Sequence, residues 1–141
     1  MSDAETSRAP PVIGDLRGTE TILLVEDEVS VRSVAADILR RFGYTVLTSS
    51  NVEHAELIAR SHPGQIDLLL TDVVMPGLGG PALAAKISVL RPQIAVLFMS
   101  GYTDDSIVRH GVIDAQLAFL QKPFTPETLG HTVRSTLDTR P

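Results

Sequence analysis

Five short apolar runs, alternating with stretches of helical apolar spacing, limit this chain to very few folds. The runs are residues 21–25 (TILLV), 45–48 (TVLT), 68–70 (LLL, closed by Thr71-Asp72), 94–99 (IAVLFM) and 118–120 (AFL). Runs this short and this uniformly apolar are typical of strands buried on both faces. After the first run, Val31, Val34, Ala35, Ile38, Leu39 and Phe42 follow the i, i+3, i+4, i+7, i+8, i+11 spacing of a helix. Ser30 is its expected N-cap and Gly43 its stop. Val52, Ala55, Ile58 and Ala59 carry a second helix, with Ser50 and Glu53 at capping-box spacing and Pro63-Gly64 beyond its end. Pro81 suits the first turn of a third, striped by Leu83, Ile87 and Leu90 and ended by Arg91-Pro92. A short helix over residues 104–110 has a poor period. Thr125 caps the last helix, Pro126 takes its first position, and Leu129, Val133 and Leu137 form its buried stripe. The order is therefore βα repeated five times, an α/β chain with a parallel sheet covered on both faces. Right-handed crossovers leave few topologies for it.

A chain of 141 residues accommodates one such domain. Residues 1–19 read as a tail, either a linker or a leader, because Ala9-Pro10-Pro11 and Gly14 break any period. The folded domain is expected over 20–138, with 139–141 as a C-terminal tail. The absence of cysteine excludes disulfides, Cys-bound zinc and thiol chemistry. A net charge of -5, no Lys/Arg run and few aromatics argue against nucleic-acid binding. No apolar run approaches the roughly 18 residues of a membrane span, and residues 1–10 have no signal-peptide h-region. A cytoplasmic domain without direct membrane insertion is expected by elimination.

In a parallel sheet the C-terminal ends of all strands share one edge. Strand one ends in Glu26-Asp27, strand three in Asp72, strand four in Ser100 and strand five in Lys122. Three carboxylates, a hydroxyl and an ammonium therefore converge. At 4 Å and an effective dielectric of 20, each carboxylate pair repels by roughly 4 kcal/mol, more than Lys122 alone offsets. A hard divalent cation complements such a site, and oxygen-only donors suit Mg²⁺ or Mn²⁺ better than zinc. Metal, ammonium and hydroxyl around one carboxylate suit an anion with several oxygens. The implied chemistry is phosphoryl transfer to Asp72, giving an acyl phosphate.

These residues resemble the receiver domain of two-component response regulators. The resemblance rests on the acidic pair Glu26-Asp27, on Asp72 in D-x-x-M-P-x-x-x-G (Met75, Pro76, Gly80), on Ser100-Gly101 and on Lys122-Pro123. It implies a flavodoxin-like, doubly wound (βα)5 sheet of order 2-1-3-4-5, with the site at the switch point between strands one and three. It implies that Asp72 is the phosphoacceptor and that Asp27 and Asp72 bind Mg²⁺ directly. Val74 would bind through its carbonyl, and Glu26 through water. Lys122 would contact the acyl phosphate, and Ser100 would hydrogen-bond a phosphoryl oxygen. Phe119 occupies the switch-aromatic position, three residues before Lys122, without the hydroxyl of the tyrosine many relatives carry. The Lys122-Pro123 bond would be cis, and 104–114 falls where relatives have their fourth helix. The runs FMSGY (98–102) and FLQKPF (119–124) look most like receivers at the C-terminus of hybrid sensor histidine kinases, and LRGTE (16–20) like the linker entering them.

The implied partners are a histidine kinase or a histidine phosphotransfer protein, and a downstream protein. Two rivals stand beside this reading. An aspartyl-phosphate phosphohydrolase of the haloacid dehalogenase type needs an acid two residues after its nucleophile, where this chain has Val74. A non-phosphorylated interaction module would not need Glu26, Asp27, Asp72, Ser100 and Lys122 all intact. His54, His62, His110 and His131 share no spacing and read as surface residues. Ser100 lacks the G-x-S-x-G elbow of a hydrolase.

Overall fold

A computed structural model of the protein describes residues 16–77, 79–101 and 118–139. Within them the chain runs β1 (Thr21–Val25), α1 (Val29–Arg41), β2 (Thr45–Ser49), α2 (Val52–Ser61), β3 (Leu68–Asp72), α3 (Gly80–Leu90), β4 (Ala95–Ser100), β5 (Ala118–Gln121) and α4 (Pro126–Asp138). The short helix expected over 104–110 lies outside the described residues. All four strand pairings are parallel and the sheet order is β2-β1-β3-β4-β5, the flavodoxin-like arrangement.

Alternation along β1 divides the core in two. Ile22 and Leu24 face α1 and α4, where Ala35, Ala36, Leu39, Leu129, Val133 and Leu137 are buried. Leu23 and Val25 face α2 and α3, against Val52, Ala55, Ala59, Leu83 and Ile87. Both faces of the strands are covered, which is why they read as unbroken apolar runs. Leu68, Leu69 and Leu70 are fully buried, and each stabilises the fold by about 1.5–3 kcal/mol. Asp72 thus ends a strand that is anchored on both sides.

Several local expectations are corrected. Glu28, not Ser30, holds the N-cap position of α1, with no side-chain bond to the helix amides; Ser30 lies within the first turn, and its hydroxyl donates to the Glu28 carboxylate at 3.2 Å. Val34 is 53% exposed. Ala36 faces the sheet in its place, while Ala35, Leu39, Ile38 and Phe42 keep the expected stripe. The Ser50–Glu53 capping box does not form. Asn51 caps α2, its side chain accepting the His54 amide at 2.8 Å, while the buried Ser49 hydroxyl donates to the Asn51 carbonyl and shapes the turn. α4 starts as expected, with the Thr125 hydroxyl accepting the Thr128 amide at 3.0 Å and Pro126 in the first turn. Residues 16–19, at the end of the expected tail, pack on the domain: Leu16 is 3% exposed, and the Gly18 amide donates to the Phe42 carbonyl. Among the described residues, no helix is long and apolar enough to cross a membrane.

Candidate functional site

Strand register sets the level of each side chain at the sheet edge. Val25 lies opposite Thr71, Asp72 opposite Met99, and Ser100 opposite Gln121. Glu26, Asp72 and Lys122 therefore emerge side by side. The edge is held by backbone bonds: Glu26 N–H to Ser49 O at 3.0 Å, Val73 N–H to Met99 O at 2.8 Å, and Lys122 N–H to Ser100 O at 2.7 Å.

Lys122 Nζ donates to Glu26 Oε1 and to Asp72 Oδ2, both at 2.7 Å. Glu26 is only 1% exposed, and its second oxygen, Oε2, accepts the Glu28 amide at 3.0 Å. Asp72 Oδ1 accepts the Val74 amide at 3.3 Å. Asp27 projects to solvent, yet Glu26, Asp27 and Asp72 each offer a carboxylate oxygen within 4.8 Å of the others. Burial pushes the Glu26 carboxyl above the usual glutamate range; the hydrogen bonds from Lys122 and the Glu28 amide oppose this, and the Asp72 charge adds to it. Burial works against the Lys122 ammonium, but its hydrogen bonds to Asp72 and Glu26 outweigh that and hold its pKa above the ordinary lysine value. One ammonium among three carboxylates leaves excess negative charge in a small volume. That all-oxygen donor set fits a hard divalent cation.

Asp72, Val74, Ser100 and Lys122 line one open cavity of about 600 Å³, rimmed by Val31, Val34 and Phe124. Val74 is exposed at its mouth. Among the described residues, the buried Ser100 hydroxyl makes one long bond, 3.4 Å, to the Gly101 carbonyl. Phe119 is not at the cavity. It lies opposite Phe98 and packs, partly buried, with the α2–α3 core. Ser100 follows Val96 and Phe98 at period two, so it shares the sheet face of Phe119. The Lys122-Pro123 peptide is cis. Gly80 explains the last position of D-x-x-M-P-x-x-x-G: its amide donates to Val73 O at 3.0 Å, and a Cβ there would collide with the Asp72 carbonyl.

Sequence reasoning missed Arg32. Its guanidinium donates to the Glu26 carbonyl at 2.7 Å and pins the turn that carries the acidic pair. Its only sequence signal is an arginine in the first turns of a helix that follows acids. The second bond of Glu26, to the Glu28 amide, was equally invisible.

Residues 22–134 match the response regulator receiver domain family. The chain belongs to that family. As a receiver it is a domain of two-component signalling, of a family that is not one of catalytic enzymes, and its Glu26, Asp27, Asp72 cluster is consistent with a phosphorylation site. It is 39% identical over 124 residues to the sensor kinase CckA of Brucella abortus, covering 88% of this chain and 13% of that protein. It is 31% identical over 118 residues to the DNA-binding transcriptional regulator NtrC of Azospirillum brasilense, covering 84% of this chain and 24% of that protein. The receiver therefore spans a small part of these relatives. The crystal structure of the receiver domain from the hybrid histidine kinase CckA superposes with a TM-score of 0.70 at 42% identity, covering 83% of this chain and 98% of that one.

Proposed function

We propose that this receiver takes a phosphoryl group from a phosphohistidine onto Asp72 and thereby switches a protein-interaction surface. The observation that carries the reading is Asp72 itself: a carboxylate fixed at a strand end, bonded to Lys122, beside Glu26 and Asp27, and open to a cavity. In the transfer, an Asp72 oxygen forms a bond to phosphorus while the bond from phosphorus to the donor imidazole breaks, its electron pair staying on the ring nitrogen. Lys122 neutralises the phosphoryl charge from the cavity wall. Asp27, Asp72 and the Val74 carbonyl would hold Mg²⁺ (or Mn²⁺), with Glu26 reached through water. The ion would supply charge neutralisation between the acyl and phosphoryl oxygens. The donor is a histidine kinase or a histidine phosphotransfer protein, and the exposed Val29, Val34 and Val74 offer it apolar contact.

Ser100 and Phe119 form the switch. The free capacity of the Ser100 hydroxyl suits a phosphoryl oxygen, and the volume it vacates lies on the sheet face of Phe119. A charged hydrogen bond and partial burial of a ring together give roughly 2–4 kcal/mol. That is below the roughly 5.5 kcal/mol that moves a population from 1:99 to 99:1, so the shift is graded. NMR spectra of Phe119 with a phosphate mimic should respond in the wild type and not in Ser100→Ala. Equal shifts in both would remove Ser100 from the mechanism.

Incubation with acetyl phosphate and Mg²⁺, read by intact mass, tests the assignment. One phosphoryl increment, abolished by Asp72→Asn with the fold retained, is expected. An undiminished adduct in Asp72→Asn overturns it. Rapid release of phosphate without an adduct points to the hydrolase, and no reaction to the bare interaction module.

A further inference from the structure

We infer that residues 16–19 are a fixed stem that staples α1 to α4 at the end of the domain remote from Asp72, so that the chain ahead of Leu16 is mechanically tied to both helices. Leu16 is buried against Phe42, just past the end of α1, and against Gly130 of α4; a Cβ on Gly130 would lie 2.9 Å from the Phe42 ring and 3.1 Å from the Leu16 side chain. The Gly18 amide donates to the Phe42 carbonyl at 3.1 Å, one of the free carbonyls at the end of α1. A Cβ on Gly18 would collide with the Tyr44 ring and sit 2.6 Å from Arg134 Nη1. Gly43, with φ +107°, approaches so closely that its Cβ would be 2.6 Å from the Gly18 carbonyl oxygen. Three glycines, at 18, 43 and 130, thus make room at one contact.

Arg134 of α4 closes it. Nη1 donates to the Arg17 carbonyl at 3.2 Å, to Glu20 Oε1 at 3.1 Å and to the Tyr44 hydroxyl at 3.2 Å; Nη2 donates to Glu20 Oε2 and Asp138 Oδ1, both at 2.7 Å. The stem is therefore held by an apolar plug, a backbone bond to α1 and a guanidinium from α4. A flexible tether needs none of these. The two helices it joins reach the acidic cavity at their other ends. α1 begins directly after Glu26-Asp27-Glu28, and α4 follows Lys122-Pro123. Displacing the stem loosens their shared end, independently of whether Asp72 is phosphorylated.

Backbone ¹⁵N relaxation and amide exchange on the full chain test this. Order parameters near 0.85, the value of rigid backbone, are expected for residues 16–19, where below about 0.6 marks a flexible segment. In Leu16→Ser, residues 16–19 should become mobile. Gly18 and the last turns of α1 and α4 should exchange faster by about tenfold to a hundredfold, the factor carried by loss of one buried leucine side chain. Amides of α2 and α3 should keep their rates. Gly18→Ala, which keeps Leu16 and blocks the contact, should give the same local pattern. A mobile stem in the wild type overturns the inference. So does a variant whose α1 and α4 ends are unchanged, or one in which all helices loosen equally.

Discussion

Replacing Lys122 by methionine tests the electrostatics of the site most directly. The side chain keeps its length and loses its charge. Glu26, 1% exposed, then retains only the Glu28 amide, and Asp72 loses its 2.7 Å partner. Removing one partner of a fully buried ion pair costs about 3–5 kcal/mol, and the open cavity beside Asp72 brings the expectation here down to about 2–3 kcal/mol. Protonation of Glu26 offers an escape. Burial already places its folded pKa above the unfolded one, and loss of the Lys122 hydrogen bond raises it further. A carboxyl with a raised folded pKa stabilises fully below its unfolded pKa, and that contribution is lost as pH rises through the folded value. The deficit should therefore be large near pH 8 and shrink near pH 5. The wild type shares the sign of this dependence, because its Glu26 pKa is already raised, but to a smaller extent, since Lys122, whose own folded pKa is raised, stays charged beside Glu26 across the window. Urea denaturation at both pH values, with a chelator present, measures it. Adding Glu26→Gln to Lys122→Met should recover much of the stability, since no buried charge is then left unpaired. A deficit of equal size at both pH values, or a double variant no better than the single one, would refute the reasoning.

Gly80→Ala drives a Cβ into the Asp72 carbonyl, and overpacking of this kind costs about 1–3 kcal/mol; denaturation should show that loss, and acetyl phosphate should label the variant more slowly. Arg91→Ala removes guanidinium bonds to the carbonyls of Ala59 at 2.9 Å and of His62 and Gly64 at 2.7 Å. A loss of roughly 2–4 kcal/mol is expected, with labelling of Asp72 unchanged once the protein is folded. Calorimetric titration with Mg²⁺ should rank Asp27→Ala as more damaging than Glu26→Ala, because both Glu26 oxygens are already engaged.

Legibility in the sequence followed the range of the interaction. Strands buried on both faces announced themselves as apolar runs, Thr125-Pro126 and Pro81 marked helix starts, and Glu26, Asp27, Asp72, Ser100 and Lys122 were findable because parallel strands must end on one edge. All of these depend on backbone period or on rules that apply to any chain. Caps were less secure. Ser30 and Ser50 carry the right chemistry, but Glu28 and Asn51 hold the positions, since the turn before a helix is set by what Glu26 and Ser49 bind. Val34 fits the helical period and still sits 53% exposed at the cavity rim, on the edge of the stripe that Ala35, Ile38, Leu39 and Phe42 keep. The bonds of Arg32, Arg91 and Arg134 had no local signal at all. Each guanidinium finds carbonyls or carboxylates freed by the ends of other elements, up to 117 positions away in the chain. Composition and period determined which elements form and which side chains reach the edge. Only the packed tertiary structure decided which polar groups were left without a partner, and so where Arg32, Glu26 and the stem at Leu16 were held.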